Sequence, residues 1–386
     1  MGRIYLDHNA TTPLDPRVLD AMLPILRDGF GNPSSLHWFG QQARAAVDTA
    51  REQVAALIGA SPGEIVFTGS GTEADNTALR GAAAAAREPR RKVVYSTIEH
   101  HAVMNTAKAL AEEGVPVEAA RTRADGRVDL DDLRARVDDR TAVVAVMLAN
   151  NETGVVEPVA EVVRIARERG ALVHCDAVQA AGKIPVDVRA LDVDTLALSG
   201  HKIYGPKGVG ALYIKRGTRL KAFVRGGSQE RNRRAGTENV AGIVGLGRAA
   251  ELARDDMGAE SARLSGLRDR LESQLLATPG AQRNGEAPRV PNTANVSFSG
   301  VEAESLVMAL DLAGVAVSTG AACAAGAVEP SHVLRAMGLP LERVQASLRF
   351  SLGRGTTAED VDAAAKLVAE AVDKQRKSSR AYASKS

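Results

Sequence analysis

Short apolar runs, many of them rich in valine and isoleucine, recur through the first part of the chain and predict strands at 64–67, 92–96, 115–119, 142–148, 171–175, 194–198 and 209–214. Between them, stretches whose apolar positions return every third or fourth residue predict helices at 41–58, 72–86, 101–113 and 158–169. Strands alternating with helices in this way build an α/β architecture with a mostly parallel, doubly wound sheet. After a long charged helix near 247–276 the pattern changes to a smaller α+β unit, with strands near 293–298 and 346–351. The predicted organisation is a large domain over 15–255 and a small domain over 1–14 and 256–386. The charged run from Lys374 to Arg380 is expected to start a frayed tail.

Composition acts mainly by exclusion. A chain of 386 residues, 45% hydrophobic and 25% charged, carries ample apolar material for two cores. No apolar run approaches the ~18 residues that span a bilayer, and the charged motif at Asp7 comes too soon for a signal peptide. The net charge is only +2, and the basic cluster Arg231, Arg233 and Arg234 has no interleaved aromatics, so nucleic-acid and membrane binding are not expected. Two cysteines, Cys175 and Cys323, make no disulfide framework, which points to a reducing, cytoplasmic setting.

Four loops carry candidate chemistry. Ser199-Gly200-His201-Lys202 follows the run 194–198 and puts one lysine where a buried strand meets a loop. An amine with its pKa lowered by desolvation is a Schiff-base nucleophile, and the small Ser199 and Gly200 leave main-chain N–H groups free for a phosphate. Asp176 closes the run 171–175, where an anion suits a pyridine nitrogen that must stay protonated; the same residue also reads as a helix N-cap. Gly69-Ser70-Gly71-Thr72 follows the strand 64–67 and opens an alanine-rich helix, a phosphate cradle without the lysine of a P-loop. His100, after the strand 92–96, can stack on an aromatic ring or move protons. Its neighbour His101 raises the question of a metal, but adjacent residues rarely share a face and no third ligand stands at useful spacing, so none is expected.

In order and spacing these segments resemble the class V aminotransferase group of fold-type I pyridoxal-phosphate (PLP) enzymes, and within it the NifS/IscS-like cysteine desulfurases. Tyr5-Leu6-Asp7-His8-Asn9-Ala10-Thr11-Thr12-Pro13 is similar to that family's N-terminal signature. Phe30-Gly31-Asn32-Pro33-Ser34-Ser35, Asn150-Asn151-Glu152-Thr153-Gly154 and the stretch from Ser199 to Gly208 are similar to further motifs, and the resemblance runs from about residue 3 to about residue 373. It implies a fold-type I transferase that binds pyridoxal 5'-phosphate and acts on L-cysteine. The implied phosphate contacts are Gly71, Thr72, Ser199 and His201, with Asp176, His100, Gln179 and Asn151 around the ring and Lys202 as linking amine and proton acceptor. Thr237, in the stretch from Gly226, resembles the residue that reaches the opposite subunit's phosphate in a homodimer. Arg349, an arginine fork suited to an α-carboxylate, forms the implied substrate set with Asn151 and Asn32.

A desulfurase also needs a nucleophilic thiol. Cys323 lies among the small residues of Ser318–Gly326, expected to be a mobile loop, and is the implied persulfide carrier; Cys175, inside a strand, reads as a buried structural residue. Ala324 and Ala325 stand where the family usually carries hydroxyl residues. The base for the thiol is open among His100, the substrate thiol and cofactor groups. The spacer from Cys323 to Ser331 resembles the longer loop of the NifS/IscS-like group, which implies hand-over to an iron–sulfur scaffold or another acceptor protein. The competing readings are a selenocysteine lyase or PLP-dependent carbon–sulfur β-lyase, which would depend less on Cys323, and a non-catalytic sulfur-transfer scaffold. Retention of Lys202, Asp176, His100 and Cys323 together argues against the last.

Overall fold

The computed structural model describes residues 2–320, 323–324 and 327–383, with backbone alone at 323–324, 327–328 and 379–383. After a two-residue strand, β1 (Ile4–Tyr5), seven strands form the central sheet: β2 (Ile65–Thr68), β3 (Lys92–Ser96), β4 (Val117–Ala120), β5 (Thr141–Ala145), β6 (Leu172–Asp176), β7 (Thr195–Ser199) and β8 (Gly210–Ile214). They lie in the order β2-β8-β7-β6-β5-β3-β4. All neighbours are parallel except β8, which runs antiparallel to both β2 and β7. The sheet is covered on both faces, as its period of two requires. Val66, Val93, Val143 and Leu212 pack with the helices Gly71–Ala85 and His101–Glu112. Their chain neighbours Phe67, Val94, Val144 and Tyr213 face the helices Trp38–Leu57, Val159–Glu168 and Val240–Leu276.

Every strand expected in the large unit is present within two or three residues of its expected ends. Cys175 sits in β6 within the main core, fully buried, and burial pushes its thiol well above the usual range. It therefore behaves as a small apolar residue. The helix Pro16–Asp28 was not foreseen; Pro24 stands inside it, a residue that ordinarily argues against a helix, although Asp15 caps the start and Pro16 occupies its first turn.

The second unit holds β9 (Ala281–Arg283), β10 (Thr293–Phe298), β11 (Val315–Ala316), β12 (Cys323–Ala324), β13 (Ala327–Val328) and β14 (Ser347–Ser351). Strands β14, β10 and β9 form an antiparallel sheet, β1 pairs in parallel with β11, and β12 pairs with β13. Leu6, Phe298, Leu348 and Phe350 belong to its separate core. The helix Val240–Leu276 runs unbroken through both: residues up to Ala253 pack in the large core, and Leu264, Leu271 and Leu275 in the small one. The boundary expected near 255 thus falls inside a continuous helix. The helix beginning at Ala358 continues to Ala383, across the stretch expected to start a frayed tail. Arg376 anchors it by donating from Nε and Nη2 to the Ser299 carbonyl, at 2.9 and 2.7 Å.

Candidate active site

Parallel strands bring their carboxyl ends to one edge of the sheet, and ligands of such sheets gather there. Strand β2 joins them because it and β7 are both antiparallel to β8. At this edge Gly71 and Thr72 follow β2, His100 follows β3, Asn151 follows β5, Asp176 ends β6, and Ser199, His201 and Lys202 follow or close β7. With Gln179 and Asp75 they line a cleft of about 660 Å³. Residues from Gly71 to Lys202 thus meet because five crossovers, from β2 through to β7, return to the same edge.

Lys202 is the best-tuned group in the cleft. Its Nζ donates to the carbonyls of Asn9 at 2.5 Å and Ala10 at 2.8 Å. Burial, and then the Arg349 cation, bring its pKa down to about 8, against the pull of Asp176 and Asp7. About one amine in ten is then neutral at pH 7, against fewer than one in a thousand for an ordinary lysine. Asp176 is buried and accepts the Val178 N–H at 2.8 Å. No helix starts there, so the N-cap reading gives way to a turn. Burial raises this carboxyl to about 6, and the Lys202 cation opposes the rise. A cation placed beside it would favour ionisation further.

Across the cleft, Ser70 caps the helix Gly71–Ala85 by accepting from the Glu73 N–H at 3.0 Å. The first N–H groups of that helix remain available to an anion, reinforced by the helix dipole. A Cβ on Gly71 would come within 2.9 Å of Val178 Cγ2 and 3.3 Å of Ser199 Cβ, so this floor requires glycine. A phosphate cradle, a partly neutral amine and a buried carboxylate in one cleft fit the three needs of pyridoxal phosphate.

His100 caps the helix His101–Glu112, its Nδ1 accepting the Ala102 N–H at 3.1 Å. Burial and Lys202 hold its pKa down to about 4, so the ring is neutral and its proton sits on Nε2. It therefore offers a donor in the free protein. His201 Nδ1 lies 3.1 Å from Thr11 Oγ1.

Arg349 is buried. Its Nη2 donates to Asp7 Oδ1 at 2.7 Å and its Nη1 to the Asn151 carbonyl at 3.1 Å, while Nε has no partner among the described residues. Its backbone pairs with Ser318, N–H to carbonyl in both directions, which fixes the stem of the Cys323 segment beside it. Cys323 itself stands in β12, within the stretch expected to be a loop, and its side chain lies outside the described residues.

Three expected site residues do not line this cleft: Arg349, which stands behind it at the Asn151 carbonyl, Asn32, and Thr237, which was expected at the opposite subunit's phosphate. Asn32 is exposed, its Oδ1 accepting the Ser34 N–H at 2.9 Å, and Thr237 is exposed just before the helix Val240–Leu276. Conversely, Asn9 and Lys183 stand at the nucleophile although neither was singled out for a role. Lys183 follows Gln179 by four positions, but only the tertiary turn shows it facing inward, where its Nζ donates to Gln179 Oε1 at 2.6 Å. Among the described residues, no three His, Cys, Asp or Glu side chains are placed to hold a metal, and no helix is long and apolar enough to cross a membrane.

Comparison with known proteins agrees with this geometry. Residues 4–364 match the family model "Aminotransferase class-V". A cysteine desulfurase of Trichormus azollae is 50% identical over 378 residues, covering 97% of this chain and 94% of that protein. The solved structure of a NifS-like protein superposes with a TM-score of 0.91 at 39% identity, covering 96% of this chain and 99% of that one. SspA, solved in complex with cysteine, superposes with a TM-score of 0.81 at 33% identity over 90% of this chain and 98% of that one. A match over nearly the whole length, with the strand-end cleft intact, means that the chain belongs to the class-V aminotransferase family, among its NifS-like cysteine desulfurases.

Proposed function

We propose that the protein is a cysteine desulfurase that uses pyridoxal 5'-phosphate to take the sulfur from L-cysteine, releasing L-alanine and leaving a persulfide on Cys323. The observation that carries this reading is the Lys202 amine, lowered to about 8 and facing the same cleft as Asp176 and the Gly71–Thr72 helix start. The half-identical cysteine desulfurase relative and the cysteine-bound SspA neighbour support L-cysteine as the substrate.

Bound in the cleft, pyridoxal phosphate would supply an aldehyde for the amine and a protonated ring that takes up the electrons left by the departing α-proton. Gly71, Thr72, Ser199 and His201 hold its phosphate, with Thr237 serving the partner's site in a homodimer. Asp176 keeps a proton on the ring nitrogen, and His100, Gln179 and Asn151 border the ring. Arg349 receives the α-carboxylate of cysteine through its unpartnered Nε–H. Lys202, neutral once freed, accepts the α-proton. The Cys323 thiolate then attacks the substrate sulfur; the new S–S bond forms as the C–S bond breaks, and protonation of the remaining carbon skeleton yields alanine. The proton of Cys323 passes to His100, the substrate thiol or cofactor groups. The protein works in the cytoplasm, and the persulfide passes to an iron–sulfur scaffold or another sulfur acceptor.

The test is release of alanine and sulfide from L-cysteine with a reductant, for the wild type and Cys323→Ser, with the cofactor's absorbance followed throughout. The wild type should form both products, and the variant should keep its colour and lose turnover. A fully active Cys323→Ser would hand the site to the β-lyase or selenocysteine-lyase reading.

A further inference from the structure

Behind the nucleophile stands a second amine. Lys183 Nζ donates to Gln179 Oε1 at 2.6 Å and to Asn9 Oδ1 at 3.3 Å. The Asn9 carbonyl accepts from Lys202 Nζ and, at 2.9 Å, from Gln179 Nε2. Asn9 has no spare hydrogen-bonding capacity. Its N–H donates to Ser351 Oγ, its Oδ1 also accepts from Asn292 Nδ2, and its Nδ2 donates to the Asn151 carbonyl and Thr293 Oγ1. Such a saturated, buried amide cannot turn without orphaning several partners, so it fixes both amines in place. Gln179 is fixed by the same logic. Its carbonyl oxygen accepts from Lys183 and one N–H goes to Asn9, which leaves its second N–H for the cleft that it lines.

We propose that Lys183 is a positioning residue of the reaction, which keeps a second amine beside Lys202 and holds Gln179 so that an N–H is what it offers to the cofactor cleft. The proposal rests on reading that cleft as a pyridoxal-phosphate site. The electrostatics agree with the geometry. Burial, then the Lys202 and Arg349 cations, bring Lys183 down to about 7, so the two amines compete for protons near neutral pH. The other groups facing the pair are Asp176, Arg349, Asp7, His100, His201 and His8. Asp256 and Glu260 line a narrow pocket together with Lys183 and Lys202. Lys183 is the lower of the two, so it is mostly neutral where Lys202 titrates; without it the Gln179 amide becomes free to turn over, whereas a permanent cation in its place would press Lys202 lower.

The test compares wild type, Lys183→Met and Lys183→Arg, with Lys183→Gln as the substitute should the methionine variant fail to fold. The reactivity of Lys202 toward acetic anhydride, read by peptide mass spectrometry against pH on cofactor-free protein, does not depend on any cofactor. Uptake of pyridoxal phosphate and its absorbance are followed in parallel. In Lys183→Met the Lys202 midpoint should stay close to the wild-type value, while cofactor uptake falls about three- to tenfold as Gln179 loses its fixed amide. Lys183→Arg, charged throughout, should lower the midpoint by about half to one pH unit and speed acylation at neutral pH about two- to fivefold. An unchanged midpoint in Lys183→Arg, or unchanged cofactor uptake in Lys183→Met, overturns the proposal. Failure of the wild type to take up pyridoxal phosphate would count against the cofactor reading alone, and the acylation profile would still decide the role of Lys183.

Discussion

Replacing Arg349 by lysine separates the guanidinium fork from its charge. The arginine spends an N–H of one Nη on Asp7 and of the other on the Asn151 carbonyl, and its buried Nε is the nitrogen without a partner among the described residues. A lysine ammonium can satisfy Asp7 but cannot reach all three directions at once. If the spare N–H receives the α-carboxylate of cysteine, lysine forfeits at least one charge-assisted hydrogen bond, about 1.5–3 kcal/mol. That converts to a KM for L-cysteine about 10- to 150-fold higher. Because the cation survives, Lys202 should still titrate at about 8 and the pH profile should keep its position. Arg349→Gln removes the charge as well, so it should both raise KM and move the Lys202 midpoint upward. The assay is the initial rate of alanine release across neutral and alkaline pH, with cofactor absorbance and thermal melts as controls for site integrity and folding. A folded, coloured Arg349→Lys enzyme with wild-type KM would refute the carboxylate role.

Two further outcomes concern stability. Glu152 is buried, and burial raises its carboxyl to about 7 while Ser331 donates its hydroxyl to Oε2. A carboxyl whose folded pKa lies above its unfolded value favours the fold below the unfolded pKa of about 4.5 and loses that favour as pH rises through 7, by up to about 3 kcal/mol. Glu152→Gln, neutral throughout and still an acceptor for Ser331, should therefore gain stability over the wild type as pH rises from about 4.5 to about 7 and hold that gain above it; a melting difference that does not vary with pH would sink this account. Glu230 forms a two-pronged pair with Arg51, both bonds 2.8 Å, and accepts the Phe67 N–H. Since both side chains are nearly enclosed, Glu230→Ala should cost about 3–5 kcal/mol in urea unfolding, and adding Arg51→Met should recover much of it. A loss under about 1 kcal/mol would show that the remaining carbonyl of Ile65 suffices for the guanidinium.

Sequence alone determined what depends on near neighbours. The β-branched runs place the seven strands of the large sheet, because run length and period are local signals of burial. The positions of Lys202, Asp176, His100 and Gly71–Thr72 at strand ends follow from the same reading, since a residue type just after an apolar run is visible without any partner. Tertiary structure decided which of these ends share an edge, which rests on β8 running against both β2 and β7. It also decided that Arg349 faces Asp7 across 342 positions of sequence, that Asn9 bridges Lys202, Gln179 and Lys183, and that the Nδ1 of His100 is spent on its own helix. It left Asn32 outside this chain's cleft, and it made one helix pack in both cores. Those outcomes depend on crossovers and on the competition of buried polar groups for partners, which a linear pattern does not encode.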